Sequence, residues 1–291
     1  MTNTSIIEDT TRELQYVEAP LNYLSGETRT PATYMYTPPL GVPARSGRYV
    51  AHTLPIFNGR VLQERLSLDQ HGFQLVCRKT QVKNFYDEHE VKDVYYPEAE
   101  YLVRKFTGAT RVLAFDHNVR CGTLAQQGKS GVREPVKTVH NDYTLKSGPQ
   151  RVRDLLPAEK AEALLQHRFA VINVWRPIRG PVQESPLAVC DARSIAQEDF
   201  VSTDLVYRDR KGEVYSVAFN PSHHWFYFPS MQATEALLLK CYDSADDGRA
   251  RFTAHSAFVD PTSPPDAPAR QSIEARTLAF FAPEGKVNAA L

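Results

Sequence analysis

The sequence lacks an excess of charge of either sign, and it lacks a long apolar run. Lys and Arg total 34, as do Asp and Glu, and no basic or acidic block stands out. Nucleic acids and anionic membranes attract proteins through clustered positive charge. A membrane span needs roughly 20 apolar residues in succession. We therefore expect no nucleic-acid partner and no membrane span, and the polar start without a secretory pattern predicts a cytoplasmic protein.

Cysteine is scarce and unpatterned, and several well-known motifs are missing. The four cysteines are far apart and form no C-x-x-C pair, which argues against a disulfide scaffold and a cysteine-based metal or redox site. A glycine-rich phosphate loop, a G-x-S-x-G elbow and an H-E-x-x-H helix are also absent. We expect reduced thiols with structural roles, and chemistry carried by other residue types.

Short segments rich in β-branched and aromatic residues dominate the chain, whereas helical patterns are few. Helices are predicted over Pro97–Phe106 and Pro157–Arg168, and few helical patterns separate the later strands. This distribution favours a mainly β fold, a mostly antiparallel sandwich or jelly roll with peripheral α-helices. The predicted strands are Tyr49–Ile56, Gly72–Arg78, Thr110–Asp116, Phe169–Trp175, Val214–Asn220, Trp225–Phe228, Ala236–Tyr242 and Ser272–Phe281.

Proline marks the two irregular parts of the chain. Residues 1–47 contain closely spaced prolines, which predict an arm packed on the core. The loop Pro261–Pro268 precedes a further apolar strand, so it is an excursion within one domain and not a linker. We expect residues 48–291 to form a single jelly-roll domain.

His140 and Asp142 lie two residues apart directly after a short stretch of alternating apolar residues. In a strand both side chains would leave on the same face and could bind one metal ion. A distant His255 would complete two imidazoles and one carboxylate, the facial triad of non-haem Fe(II) oxygenases. Arg270 and Ser272, at the start of the last apolar strand, offer a guanidinium fork and a hydroxyl for a carboxylate. The alternative is a strand-end histidine beside a turn-forming aspartate.

At these residues the sequence resembles the Fe(II)/2-oxoglutarate-dependent oxygenases, whose iron lies in a double-stranded β-helix, the cupin-like jelly roll. The closer resemblance is to the cephem methoxylase and gibberellin desaturase-like (hydroxylase/desaturase) family of secondary metabolism. It covers about two-thirds of the chain. The segments that carry it are YYPEAEYLVRKFTGATRVLAFDHNVR from Tyr95, VHNDYTLKSGPQRV from Val139, INVWRPIRGPV from Ile172, SPLAVCDARS from Ser185, SHHWFYFPSM from Ser222 and LLLKCYDSADDGRARFTAHSAFVDP from Leu237.

The resemblance implies His140, Asp142 and His255 as iron ligands. It also implies Arg270, assisted by Ser272, as the partner of the distal carboxylate of 2-oxoglutarate. Arg276 lies six residues beyond Arg270 and on the same face of a regular strand, so it is the alternative anchor.

Four further residues are candidates for ligand contacts. Asn173 and Trp175 share one face of a predicted strand, so Asn173 could hydrogen-bond the co-substrate and Trp175 could shape the substrate pocket. Arg176 could bind an acidic group of the substrate, and Tyr143 could form a pocket wall. A plain core role is the alternative for Trp175, and solvation of the strand end is the alternative for Arg176.

The resemblance implies an oxidoreductase, a dioxygenase that uses Fe(II), 2-oxoglutarate and O₂. Its substrate would be a small biosynthetic intermediate. Hydroxylation, desaturation and oxidative cyclisation remain open, since each begins when an Fe(IV)-oxo species abstracts a hydrogen atom. An iron oxidase that uses no 2-oxoglutarate and a non-catalytic small-molecule-binding jelly roll are the alternatives. A homo-oligomer or a partner enzyme also remains open.

Overall fold

Two β-sheets form the body of the protein in the computed structural model, which describes residues 15–28 and 31–283. The strands described are β1 (Tyr16–Leu24), β2 (Ala32–Tyr34), β3 (Arg45–Ser46), β4 (Tyr49–Asn58), β5 (Phe73–Cys77), β6 (Arg111–Arg120), β7 (Val132–Arg133), β8 (His140–Asn141), β9 (Phe169–Pro177), β10 (Leu187–Cys190), β11 (Phe200–Val206), β12 (Lys211–Val217), β13 (Trp225–Tyr227), β14 (Glu235–Asp243), β15 (His255–Ala257) and β16 (Ser272–Phe280). The larger sheet has the order β1-β4-β13-β10-β15-β8-β12-β11-β2-β3, and the smaller has the order β5-β14-β9-β16-β6-β7. Non-consecutive neighbours in both sheets, joined mainly by antiparallel pairs, confirm the predicted jelly-roll fold class.

The smaller sheet is covered on both faces. Every residue of β9 and β14 is buried, which explains why their sequences are nearly continuous apolar runs. Phe169, Val171 and Trp175 belong to the core between the two sheets. The alternate residues Ala170, Ile172 and Val174 pack in a second core with the helix Tyr96–Thr107. Strand alternation therefore decides which residues of β9 can reach a site between the sheets.

The helices lie at the periphery, as predicted. The helix Tyr96–Thr107 has Pro97 in its first turn and ends at Gly108, whose φ of 72° is left-handed. Pro157 directly precedes the helix Ala158–Leu165. The other helical segments are Glu88–Glu90, the π-turn Val91–Tyr95, Gly122–Gln126, Ser147–Leu155 and the 3₁₀ turns Gly59–Leu62, Ala192–Ser194 and Gln197–Asp199. None of the described helices is long and apolar enough to cross a membrane.

The eight strands predicted from the sequence are all present, with shifted ends, but the other eight described strands were missed. These are β1, β10 and β11 and five strands of two or three residues. The alternating stretch before His140 is irregular, and regular pairing begins only at His140. The four cysteines are free thiols, as expected.

The predicted arm contributes three strands, β1, β2 and β3, to the larger sheet. Residues 1–14 lie outside the described residues, and β1 pairs antiparallel with β4 along its whole length. On its buried face, the Tyr23 hydroxyl accepts a hydrogen bond from Trp225 Nε1 at 2.6 Å and lies 3.0 Å from His223 Nδ1. His223 Nε2 in turn lies 3.1 Å from Asp199 Oδ2. A buried polar chain thus joins the first described strand to the core, while the domain boundary at residue 47 stays a prediction.

We expect Tyr23→Phe to lower the free energy of unfolding by about 1–3 kcal/mol, because it leaves the buried Trp225 and His223 nitrogens without their partner. Chemical denaturation measures this. Tyr16→Phe is the matched control, since Tyr16 lies on the same strand and is 54% exposed. Equal free energies of unfolding of the two variants would contradict the stabilising role of this buried polar chain.

Candidate active site

The two histidines of the predicted triad lie side by side on paired strands. His140 in β8 pairs in register with His255 in β15, and the ring centroids are 4.4 Å apart. His140 Nδ1 lies 2.8 Å from the carbonyl oxygen of Thr138, and His255 Nδ1 lies 2.9 Å from that of Thr253. A carbonyl only accepts, so each Nδ1 donates and each Nε2 keeps a free lone pair for a metal.

Asp142 completes a group of three ligand atoms, one from each residue, that lie within 4.8 Å of one another. Its Oδ1 is 3.6 Å from His140 Nε2. Its Oδ2 accepts hydrogen bonds from Asn173 Nδ2 at 2.9 Å and from Arg276 Nε at 3.0 Å. Two strands of the larger sheet and the bend directly after β8 therefore supply the three candidate ligands, and the smaller sheet supplies the groups that hold the carboxylate.

The protonation states suit metal binding. Burial, with a smaller contribution from His255, lowers the pKa of His140 to about 3. Burial alone would raise the pKa of the Asp142 carboxyl, but Arg276 and then the two imidazoles hold it well below its ordinary value. At neutral pH the site therefore offers a neutral His140 and an ionised carboxylate, the protonation states that metal ligands require.

Arg276, the alternative co-substrate anchor, is bound to three carboxylates. Besides the bond to Asp142, its Nη1 donates to Asp116 at 2.9 Å and its Nη2 to Glu274 at 3.2 Å. These carboxylates raise the pKa of the Arg276 guanidinium well above its ordinary value, although burial opposes them. The structure thus brings Arg276 and Asn173 to Asp142.

Arg270 and Ser272 are both buried, and both have polar groups without partners. Arg270 Nη1 donates to the Ser185 carbonyl, whereas Arg270 Nε and Ser272 Oγ have no partner among the described residues. The guanidinium carbon is 5.5 Å from the centre of the Trp175 ring. Burial, followed by repulsion from Arg120, lowers the pKa of Arg270 to about 10. A buried cation and, two residues along the chain, a buried free hydroxyl suit a carboxylate ligand.

Arg120 is a site residue that the sequence reasoning missed. It ends β6, where it pairs with Ser272, and its Nη1 donates to the Glu134 carbonyl at 2.8 Å. Burial lowers its pKa, as does the nearby Arg276, while Glu274 raises it. Asp116, Asn118 and Arg120 stand at alternate positions of one strand, although His117 between them is polar too, and this shared face was the available signal.

The three candidate substrate residues lie in different places. Tyr143 and Trp175 are buried in the core between the sheets, in keeping with a pocket wall or plain core. Arg176 points the other way, with its guanidinium carbon 5.5 Å from the Tyr95 ring centre and its Nη2 bonded to the Arg78 carbonyl. It follows Trp175 directly, so alternation turns it away from the cluster of His140, Asp142 and His255. The structure does not bring Arg176 to this site.

Comparisons with known proteins agree with this geometry. A family model described as an oxidoreductase/YMDC permease-like domain matches residues 14–280. The hydroxylase/desaturase efuI of Hormonema carpetanum is 36% identical over 261 residues, which cover 80% of this chain and 85% of that protein. The Fe(II)/2-oxoglutarate-dependent dioxygenase nvfI of Aspergillus novofumigatus is 30% identical over 87% of this chain and 92% of its own. The chain belongs to the hydroxylase/desaturase family of Fe(II)/2-oxoglutarate-dependent oxygenases.

A solved structure extends the likeness of this oxygenase to the whole fold. The iron and alpha-ketoglutarate-dependent endoperoxidase NvfI superposes with a TM-score of 0.84 at 28% identity, covering 92% of this chain and 98% of that chain. The predicted oxidoreductase class and the dependence on Fe(II), 2-oxoglutarate and O₂ are thereby confirmed, as is a small-molecule substrate. These relatives argue against the two alternatives, a non-catalytic jelly roll and an iron oxidase that uses no 2-oxoglutarate.

We expect acid to destabilise the metal-free oxygenase partly through His140. An unfolded chain takes up this proton below the ordinary pKa of 6.5, whereas the folded site resists until about 3. His140 therefore leaves the free energy of unfolding unchanged above pH 6.5. As the pH drops from 6.5 to about 3, it lowers that free energy by up to about 1.4 kcal/mol per pH unit. Denaturant unfolding across that interval should show a shallower slope for His140→Gln than for wild type.

The exposed His89→Gln controls for the loss of an imidazole elsewhere. Identical slopes for wild type and His140→Gln would show that His140 is not buried in its neutral form.

Proposed function

We propose that His140, Asp142 and His255 hold the Fe(II) of this oxygenase, and that Arg270 and Ser272 hold the distal carboxylate of 2-oxoglutarate. The observation that carries the proposal is the cluster of three ligand atoms within 4.8 Å. The donor set of two imidazole nitrogens and one carboxylate oxygen is the one typical of non-haem Fe(II) oxygenases, and it leaves open positions for other ligands.

The protein residues supply orientation and charge. Iron bound here would supply the activation of O₂, coupled to oxidative decarboxylation of 2-oxoglutarate to succinate and CO₂. The carbonyls of Thr138 and Thr253 fix the two imidazole tautomers. Arg270, which is only 3% exposed, binds a carboxylate more strongly than a solvated arginine would, because water competes little there.

The substrate we propose is a small biosynthetic intermediate, held against the apolar wall formed by Tyr143 and Trp175. Related proteins carry the names hydroxylase/desaturase and endoperoxidase, and hydroxylation, desaturation and oxidative cyclisation all start with loss of a substrate hydrogen atom. The position of one C–H bond relative to the metal then selects the product. A cytoplasmic location without a nucleic-acid partner belongs to the same proposal.

Anaerobic addition of Fe(II) and 2-oxoglutarate to the metal-free protein should produce a weak visible charge-transfer band. His140→Ala, Asp142→Ala and His255→Ala should each abolish the band while circular dichroism stays unchanged, because each removes a ligand. His117→Ala is the matched control, since His117 is half-buried outside the triad and lies 3.0 Å from the Tyr96 hydroxyl.

When air is admitted to the same sample with substrate, the protein should form succinate from 2-oxoglutarate. An intact band in all three triad variants would contradict the ligand assignment. Full turnover without succinate would instead support the iron oxidase that uses no 2-oxoglutarate.

Arg270→Gln should raise the KM for 2-oxoglutarate by roughly 10- to 100-fold, because hydrogen bonds to charged groups are worth roughly 1.5–3 kcal/mol. Steady-state kinetics with varied 2-oxoglutarate measures this. Arg179→Gln is the control, since Arg179 is exposed and its neighbour Ile178 donates a backbone hydrogen bond to Gln271, the residue after Arg270. An unchanged KM would place the anchor at another cation.

A further inference from the structure

Asn173 is a polar residue in the centre of an apolar strand. It is fully buried in β9, between Ile172 and Val174. A buried amide is unfavourable unless it is hydrogen-bonded. Among the described residues its side chain has one partner, Asp142 Oδ2, at 2.9 Å, and Asn173 Oδ1 has none. The amide is therefore oriented toward the carboxylate, and no other contact in the described structure accounts for an asparagine here.

Arg276 reaches the same oxygen from the neighbouring strand. The register of β16 against β9 places Arg276 directly opposite Asn173. Arg276 Nε donates to Asp142 Oδ2 at 3.0 Å, while Asp116 and Glu274 accept from its two terminal nitrogens. The side chain is only 14% exposed. Each nitrogen of the guanidinium is thus occupied, and its direction is fixed from both sides.

We propose that Asn173 and Arg276 are positioning residues that hold Asp142 Oδ2, so that Oδ1 alone is offered to the metal. This inference rests on the proposed function, because it requires Asp142 to be a metal ligand. It also reassigns both residues, which the sequence suggested as co-substrate contacts, to the carboxylate of the triad.

The consequence concerns the number of positions left on the metal. A carboxylate binds metals through one oxygen or through two. With Oδ2 held by two donors, Asp142 takes one position, and a facial triad leaves about three of six open. If Oδ2 were released, it could occupy one of these and compete with the other ligands. Two hydrogen bonds from the smaller sheet would in this way preserve room for co-substrate and O₂.

The test uses Mn(II) in place of Fe(II) and needs no turnover. Water-proton relaxation of the Mn(II)-loaded protein reports the metal-bound water. Asn173→Leu keeps the size of the side chain and its charge but removes the donor. This variant and Arg276→Gln should each lower the relaxation enhancement. The double variant should lower it by about a third, because one of about three metal-bound waters is displaced. Arg270→Gln is the matched control, and it should keep the wild-type enhancement but raise the KM for 2-oxoglutarate.

The outcomes separate this inference from the function on which it rests. Mn(II) binding by wild type and its loss in His255→Ala would uphold the metal site. Unchanged enhancement in the loaded double variant would then overturn the positioning role alone. Unchanged enhancement in Arg276→Gln with a raised KM for 2-oxoglutarate would make Arg276 the anchor instead. Failure of wild type to bind Mn(II) or Fe(II) would overturn both.

Discussion

The hydrogen bonds on Asp142 Oδ2 join the two sheets at the place where the chemistry is expected. His140 and His255 belong to the larger sheet, whereas Asn173 and Arg276 belong to the smaller sheet, and Asp142 is held from that side. The strands that carry the histidines are only two and three residues long. Such short strands cannot fix a carboxylate by themselves, so the position of Asp142 depends on how the sheets pack.

The same arrangement explains how several charges are buried in a chain with no net charge. An unpaired buried charge is very unfavourable, whereas a hydrogen-bonded ion pair is tolerated. Arg276 is compensated by Asp142, Asp116 and Glu274. Arg270 is less completely compensated, because its backbone nitrogen rather than its guanidinium bonds Glu184, and its Nε has no described partner. This difference separates an arginine that orients a residue from one that can receive a ligand.

The sequence predicted that His140, Asp142 and His255 lie together, and the structure forms this cluster; the His-x-Asp spacing suggested the first two and the family resemblance supplied the distant histidine. The long apolar strands were predictable from composition. The contacts between residues of different strands were not predictable from the sequence. The choice between Arg270 and Arg276 depends on the register of β16 against β9 and on the packing of the two sheets, which residue types do not encode locally. The two-residue strand β8 is too short to have a periodicity. Arg120 could have been found from the face of β6 that it shares with Asp116 and Asn118, and Arg176 could have been set aside from alternation along β9.

The likeness to the endoperoxidase shows where differences in reaction among such enzymes must arise. A TM-score of 0.84 at 28% identity means that the backbone positions largely coincide while most side chains differ. Strand pairing fixes the Cα positions of His140 and His255, and so the metal end of the pocket can stay the same. In the function proposed above, the substrate end would be lined by side chains such as Trp175 and by loops between strands, whose changes leave strand register intact. One metal arrangement can therefore present different C–H bonds, and we infer that the lining of the pocket decides the product.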